Sequence, residues 1–335
     1  MKVCIFYTAA VGIGHKRCAQ ILEKEFDNVV LIDALKECNF VLNFLVSRGY
    51  TLLLKYIPLF YKKVYENEKS LLSRFSFIRK GFFYLCSLKF NRIIKKEGPN
   101  VIICTQAFPC SVLAMFKGNY KLIGIITDFH LNSSWISKNV DCYAVSCSEV
   151  KEELIKCGIE FSKIKITGIP TKNYKKNKGE LVLIMGGGAG LGDIERVANL
   201  VCKRFKTKVL VGNNKKLFDK LKNKCDVSCY VENIEDYYAN SFVVITKPGG
   251  LTCSELINMQ IPIIMLDPLP GQEEKNADFL IKNNIAIKLD SLNNLVDTIE
   301  NLEKKIDYEK IKVFAKPNAR EEVKGLVNKI AKTIK

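Results

Sequence analysis

The sequence predicts an α/β protein made of two Rossmann-like domains that face a cleft. Short apolar segments rich in β-branched residues alternate with helical patterns, which is typical of parallel sheets wrapped by helices. This alternation occurs twice, on either side of a polar, lysine-rich stretch at residues 171–179. The chain has 335 residues, 48% of them hydrophobic, so it is long enough to form two cores.

The first half contains five predicted strands, which are Val3–Thr8, Val29–Ile32, Val101–Thr105, Leu122–Thr127 and Cys142–Val145. They define a predicted first domain at residues 1–170, followed by a linker at 171–179. The second half contains six, which are Leu181–Met185, Lys208–Val211, Val227–Val231, Phe242–Thr246, Pro262–Leu266 and Ala286–Lys288. They define a second domain at 180–315. Residues 316–335 contain a helical pattern from Asn318, and we expect this terminal helix to return to the first domain.

Residues 245–255 predict an anion site. Their pattern indicates a strand, a glycine turn and the beginning of a helix, in the sequence Ile-Thr-Lys-Pro-Gly-Gly-Leu-Thr-Cys-Ser-Glu. A helix N-terminus favours a phosphate, and Gly249 and Gly250 let that phosphate approach the backbone. Glu255 follows one helical turn later, where a carboxylate accepts hydrogen bonds from ribose hydroxyls. The alternative is an ordinary strand-turn-helix corner with Glu255 solvated on its surface.

A second loop, residues 268–277, Pro-Leu-Pro-Gly-Gln-Glu-Glu-Lys-Asn-Ala, follows the next predicted strand. It offers Gln272, Glu273 and Asn276 together, a set that suits several sugar hydroxyls. The two loops together predict a site for a nucleotide diphosphate sugar.

These two motifs resemble the donor-binding region of the diacylglycerol glycosyltransferases, which include plant monogalactosyldiacylglycerol synthases and bacterial processive diacylglycerol glucosyltransferases. The family is related to the enzyme that adds N-acetylglucosamine to the lipid-linked peptidoglycan precursor. The resemblance implies the GT-B fold, with UDP on the glycine turn and the donor hexose near the second loop. The glycine-rich segment Leu183–Gly190 resembles the loop that opens the family's second domain. The predicted donor-binding residues are Gly187, Gly188, Val231, Lys247, Gly249, Gly250, Leu251, Thr252, Glu255, Gln272, Glu273 and Asn276.

The first loop of the chain, Ala9–Arg17, carries Gly12, Gly14 and His15 and resembles the family's Gly-x-Gly-His loop. Gly12 and Gly14 are predicted to lie on the acceptor side, and His15 is the predicted catalytic base, because an imidazole takes up a proton near neutral pH. A dinucleotide fingerprint would need glycine where Arg17 stands, so an oxidoreductase is a weak alternative.

A second family segment, Ile126–Trp135, resembles the part that lines the acceptor side. It contributes Trp135 as an acceptor residue and Asp128 as a second predicted catalytic residue, which either orients His15 or acts as the base. The alternative for Asp128 is a capping role at the end of a strand.

The predicted activity is inverting transfer of glucose or galactose from UDP-glucose or UDP-galactose to diacylglycerol, with no cofactor and no metal. Two alternatives stay open. One is a related UDP-sugar enzyme that acts on another lipid-linked acceptor or epimerises a UDP-sugar. The other is a non-catalytic UDP-sugar sensor.

Charge and composition predict a peripheral membrane protein of the cytoplasm. Between Lys36 and Glu97, thirteen Lys and Arg residues stand against four acids, with aromatic residues among them. This pattern predicts basic amphipathic helices on an anionic membrane surface, and its alternative is a solvated basic face over core aromatics. The chain lacks a nucleic-acid recognition motif, an opening signal peptide and an uninterrupted membrane-spanning run. The thirteen cysteines lack paired metal-ligand spacing, which predicts reduced core thiols.

Overall fold

The computed structural model describes residues 1–10, 12–38, 76–172, 176–177 and 179–333. The described part of the chain divides into two compact units, Met1–Lys172 with Lys316–Lys335, and Asn173–Ala315. Each unit contains one parallel sheet of six strands flanked by helices, so two Rossmann-like domains are confirmed.

The first unit is built on a sheet of order β2-β1-β3-β4-β5-β6. Its strands are β1 (Val3–Tyr7), β2 (Val29–Asp33), β3 (Val101–Cys104), β4 (Lys121–Ile125), β5 (Cys142–Val145) and β6 (Ile164–Ile166). Its helices are α1 (Ile13–Glu23), α2 (Ala34–Cys38), α3 (Ser76–Glu97), α4 (Ala107–Met115) and α5 (Ser148–Lys156), with α14 (Ala319–Ala331) from the end of the chain. Five of these strands match the predicted ones. The sixth, β6, was not predicted; it is an edge strand in which three residues pair with β5.

The core of the first unit lies between its sheet and the helices α1 and α14. Val3, Ile5 and Ile123 from the central strands pack with Leu22 of α1 and Val323 of α14. Because parallel strands are covered on both faces, they read as continuous apolar runs in the sequence. The terminal helix therefore completes the core of the first unit.

The second unit is built on a sheet of order β12-β11-β10-β7-β8-β9. Its strands are β7 (Leu181–Met185), β8 (Thr207–Leu210), β9 (Asp226–Ser228), β10 (Ser241–Thr246), β11 (Ile263–Met265) and β12 (Ala286–Lys288). Its helices are α6 (Ile194–Val201), α7 (Lys215–Leu221), α8 (Glu235–Ala239), α9 (Gly250–Asn258), α10 (Gln272–Lys282), α11 (Leu295–Glu300), α12 (Leu302–Lys305) and α13 (Tyr308–Phe314). All six strands were predicted.

The edge strand β9 is shorter than the predicted strand Val227–Val231, because it pairs only with β8 and over three residues. Val231 consequently lies in the loop after the strand. All thirteen cysteines are free thiols in this structure, and eight of them are buried.

Candidate functional site

Three loops of the second unit meet at one edge of its sheet. Strand β10 pairs in parallel with β7 on one side and with β11 on the other. The carboxyl ends of parallel neighbours point the same way, which is where α/β proteins usually bind ligands. The glycine loop after β7, the turn into α9 and the loop into α10 therefore lie side by side.

Helix α9 begins where the sequence predicts an anion site. Gly249 is its N-cap residue in an extended conformation, and Gly250, Leu251 and Thr252 form the first turn, which contains no acidic residue. The backbone N–H groups of a first helical turn have no partner within the helix and carry a partial positive charge. This turn can accept a phosphate without competition from a carboxylate in its own first turn.

Glu255 is buried, with 1% of its surface exposed. This burial excludes the alternative of a solvated surface residue. Burial raises the pKa of the Cys253 thiol, and the charges of Glu273 and Glu255 raise it further. Cys253 and Glu255 lie on α9 and Glu273 lies on α10, so the two predicted halves of the site belong to neighbouring elements.

Lys247 and Glu273 form an ion pair that joins the same two halves. The Nζ atom of Lys247 donates to Oε1 of Glu273 at 3.0 Å, and the backbone N–H of Leu269 donates to Oε2 at 2.8 Å. Lys247 is buried and Glu273 is partly buried. The ammonium group is thereby held near the start of α9, where an anion would approach.

The glycine loop after β7 lies against the stem of Lys247. A Cβ atom placed on Gly192 would stand 3.9 Å from Cδ of Lys247. The loop is held by a hydrogen bond from the N–H of Asn213 to the carbonyl of Gly188, and Gly187 is exposed at its tip. The glycine loop therefore lies next to Lys247, which precedes Gly249, the N-cap residue of α9, by two residues in the chain.

The remaining predicted donor residues differ in accessibility. Gln272 is partly exposed at the first position of α10, whereas Asn276, one turn later, is buried. Val231 is partly exposed beyond β9. We expect Gln272 to be the more accessible of the two amides for a sugar.

The first unit places His15 at the carboxyl edge of its own sheet. The loop after β1 leads into α1, and Gly12, its N-cap residue, has φ +142°, which favours glycine. Gly14 and His15 lie in the first turn. The Nδ1 atom of His15 lies 2.8 Å from the carbonyl oxygen of Thr105 and 3.1 Å from Oγ1 of Thr127. These threonines follow β3 and β4.

His15 is suited to accept a proton. Burial lowers its pKa below the usual value of about 6.5, although the charge of Asp128 and the carbonyl of Thr105 act in the opposite direction. The imidazole is therefore neutral at neutral pH. Asp128 is buried beside it, and its backbone carbonyl accepts a hydrogen bond from Oγ of Ser146 at 2.6 Å.

Trp135 lies inside the first unit with 4% of its surface exposed. Its ring packs over Gly124, beside Tyr143, and the hydroxyl of Tyr143 donates to its carbonyl at 2.7 Å. The indole therefore presents little surface to a ligand and supports the loop that follows β4.

Sequence reasoning did not single out Thr105 and Thr127. A signal was present, because five strands of the first sheet are followed within two residues by a buried hydroxyl residue: Thr8, Thr105, Thr127, Ser146 and Thr167. Which of them contact His15 depends on the order of the strands, which the sequence does not state.

Within the described ranges, no helix combines the length and the apolar character that crossing a membrane requires. The same residues contain no group of three or more His, Cys, Asp or Glu side chains arranged to hold a metal ion.

Comparison with known proteins gives one consistent family. Residues 15–171 match the monogalactosyldiacylglycerol (MGDG) synthase family, and residues 181–333 match the glycosyltransferase family 28 C-terminal domain. A processive diacylglycerol beta-glucosyltransferase from Bacillus licheniformis is 28% identical over 91% of this chain and 88% of its own length. One from Bacillus subtilis is 27% identical over 90% of this chain and 87% of its own length.

Among solved structures, MurG of Acinetobacter baumannii superimposes with a TM-score of 0.62. It is 13% identical and the match covers 98% of this chain and 100% of that chain. At this identity the similarity concerns the fold, and it confirms the predicted GT-B type.

Proposed function

We propose that this chain, which belongs to the family of monogalactosyldiacylglycerol synthases and processive diacylglycerol glucosyltransferases, moves a hexose from a UDP-sugar to diacylglycerol with inversion at the anomeric carbon. The family makes it a glycosyltransferase. The proposal adds the donor, the acceptor, the stereochemistry and the place of action.

One observation carries the donor assignment. The first turn of α9, the ammonium group of Lys247 and the buried carboxylate of Glu255 lie around one edge of the second sheet. A helix N-terminus with an adjacent cation suits a diphosphate, and a carboxylate beyond it suits the ribose hydroxyls. Gln272 and Glu273 at the start of α10 are then left for the hexose.

The proposed reaction is a single displacement. His15 takes the proton of the acceptor hydroxyl, and the hydroxyl oxygen forms a bond to the anomeric carbon. The bond from that carbon to the diphosphate oxygen breaks on the opposite face, so its electron pair leaves with UDP and the configuration inverts. A general base of this kind contributes roughly 10² to 10⁴-fold in rate.

In this proposal the backbone N–H groups at the start of α9 and the ammonium group of Lys247 stabilise the negative charge that develops on the leaving diphosphate. Groups that are already oriented toward developing charge need little rearrangement during the reaction. We therefore expect turnover to persist in a metal chelator, as the sequence predicts.

Helix α3 supports action at a membrane surface. Its outward side carries exposed Phe77, Tyr84, Leu85 and Leu88, and its last turns carry lysine and arginine. Such a surface can place apolar side chains among lipid tails and basic ones among anionic headgroups. The acceptor would then be reached from the lipid phase.

The names of the curated relatives favour glucose as the first donor to test and diacylglycerol, or a glycosylated form of it, as the acceptor. The full chain is incubated with UDP-glucose or UDP-galactose and with vesicles that contain or lack diacylglycerol. UDP release and the lipid products by mass spectrometry are measured, with and without chelator. We expect UDP release that requires diacylglycerol, a hexosyl-diacylglycerol with inverted linkage, and no effect of chelator.

Two results would contradict the proposal. UDP-sugar converted to its epimer without UDP release would make the chain an epimerase. Tight binding of UDP-sugar with neither product nor release would make it a sensor.

A further inference from the structure

The Nδ1 atom of His15 faces two oxygen atoms. One is the carbonyl oxygen of Thr105 at 2.8 Å and the other is Oγ1 of Thr127 at 3.1 Å. A carbonyl oxygen can only accept a hydrogen bond, so a neutral imidazole meets it favourably only with a proton on Nδ1. A lone pair on Nδ1 would instead point at the lone pairs of the carbonyl. The hydroxyl of Thr127 can accept from the same N–H group.

Thr105 holds His15 at a second point. Its Oγ1 atom donates to the backbone carbonyl of His15 at 2.9 Å. Thr105 and Thr127 are both buried, and they follow β3 and β4, which are paired neighbours in the centre of the sheet. The ring and the backbone of His15 are therefore both hydrogen-bonded to residues at the carboxyl ends of the central strands.

We infer that Thr105 and Thr127 are positioning residues that hold His15 as the Nδ1–H tautomer and make Nε2 the nitrogen that takes the acceptor proton. This inference rests on the proposed function for the role of the base, whereas the tautomer itself rests on the hydrogen bonds. The neutral ring then has a single lone pair, on Nε2, and the proton enters there as the acceptor oxygen attacks.

The chain is favourable for a direct measurement because it contains two histidines, His15 and His130. The full chain is produced with histidine labelled by ¹⁵N in the ring, and long-range ¹H–¹⁵N correlation spectra are recorded at neutral pH. His130→Gln assigns the two sets of signals. We expect His15 to show a protonated Nδ1 and an unprotonated Nε2, and this measurement requires no turnover.

Turnover tests the positioning role. Thr127→Val is nearly isosteric and removes the hydroxyl from Nδ1, so kcat should fall about 2- to 12-fold, the value of one ordinary hydrogen bond, with KM for the UDP-sugar unchanged. Thr127→Ser restores the hydroxyl and should restore kcat. The matched control is Thr167→Val, a buried threonine after β6 whose hydroxyl donates to the carbonyl of Gly168 and has no contact with His15.

The spectrum and the kinetics test the tautomer and the positioning role separately. A protonated Nε2 on His15 in the unsubstituted chain would overturn the inference, as would equal kcat values for Thr127→Val and Thr167→Val. If His15→Ala retains full turnover, His15 is not the base of the proposed function, and Nε2 does not take the acceptor proton. The ¹H–¹⁵N spectrum separates this outcome from an incorrect assignment of the hydrogen bonds to Nδ1, because the spectrum reports the tautomer without turnover.

Discussion

At the scale of single residues, the ion pair between Lys247 and Glu273 changes the role expected of Glu273. The sequence assigns its carboxylate to the donor hexose, but both carboxylate oxygens already accept hydrogen bonds, from Lys247 and from the N–H of Leu269. Glu273 therefore also sets the position of the cation that the diphosphate would meet. A carboxylate has further acceptor sites, so both roles are compatible.

We predict that Glu273→Gln lowers turnover of the UDP-sugar but does not weaken the binding of UDP. The substitution removes the countercharge of a buried ammonium group, which costs stability in the free protein and is compensated when a diphosphate binds. Loss of a hydrogen bond to a charged group corresponds to about 1.5 to 3 kcal/mol in kcat/KM. Calorimetry with UDP and steady-state kinetics with UDP-sugar measure the two effects.

Two further variants are compared with Glu273→Gln. Glu274→Gln is the matched control, because the side chain of Glu274 accepts a hydrogen bond from the N–H of Gly271 at the start of α10 rather than from Lys247. Glu255→Ala should weaken UDP and UDP-sugar alike, since both contain the ribose. UDP binding that falls as much in Glu273→Gln as in Glu255→Ala would contradict the prediction.

At the scale of elements, α3 departs from the amphipathic pattern expected from its sequence. One side of α3 packs inward, where the rings of Phe82, Phe83 and Phe90 contact Phe108 of α4. The exposed part of α3 mixes both kinds of side chain, because Phe77, 88% exposed, is close in sequence to the exposed Lys80, and Leu88 is exposed beside the exposed Lys89. Of the predicted basic segment Phe40–Lys96, residues 40–75 lie outside the described residues.

We predict that Phe77→Asp with Leu85→Asp reduces binding to anionic vesicles by about ten-fold or more while the protein stays folded. Each large apolar side chain contributes about 1.5 to 3 kcal/mol when it leaves water, and both side chains are exposed. Sedimentation with vesicles measures binding, and circular dichroism checks the fold. Phe161→Asp is the control, because Phe161 is also exposed in the first unit but lies outside α3.

The basic residues in the second half of α3 are tested separately with Lys89→Gln, Arg92→Gln and Lys96→Gln together. About 1 kcal/mol per charge should be lost at low salt and less as salt screens the surface. If the apolar double variant and the charge variant both sediment as the parent chain does, α3 is a solvated face and not a membrane surface.

At the scale of the whole molecule, the chain leaves its first unit at Lys172 and returns to it at Lys316. Helix α14 contributes Val323 and Val327 to the core of that unit, and Arg320 and Lys324 lie 2.9 and 3.6 Å from the carboxylate of Glu25. The C-terminal helix is therefore required by the unit that contains the N-terminal part of the chain. The second unit is one continuous segment.

We predict that Val323→Asp destabilises the first unit and abolishes turnover, while UDP still binds to the second unit. The substitution places an unpaired carboxylate in a core, which costs several kcal/mol. Thermal unfolding should then show an early transition that UDP does not shift and a later one that UDP raises. Val313→Asp is the control, because Val313 is 72% exposed on α13. Loss of UDP binding in Val323→Asp would show that the second unit depends on the first.

The sequence by itself determined the features that depend on local chemistry. Strands appear as short β-branched runs, the start of α9 follows from Gly249 and Gly250, and His15 stands after a glycine turn, all within a few neighbouring residues. The glycine motifs and the segment from Gln272 to Asn276 also pointed to the family, because each is a short local string of residues in the sequence. Eleven of the twelve strands were predicted for this reason.

Only the tertiary structure decided which distant residues meet. Glu255 is buried, Lys247 pairs with Glu273 across two loops, and Trp135 packs under its loop, because neighbouring strands bring those segments together. Thr105 and Thr127 contact His15 because β3 lies between β1 and β4, an order that no local pattern contains. Strand order and long-range packing arise from the free energy of the whole fold, so a tautomer of one imidazole is set by residues about ninety and more positions away.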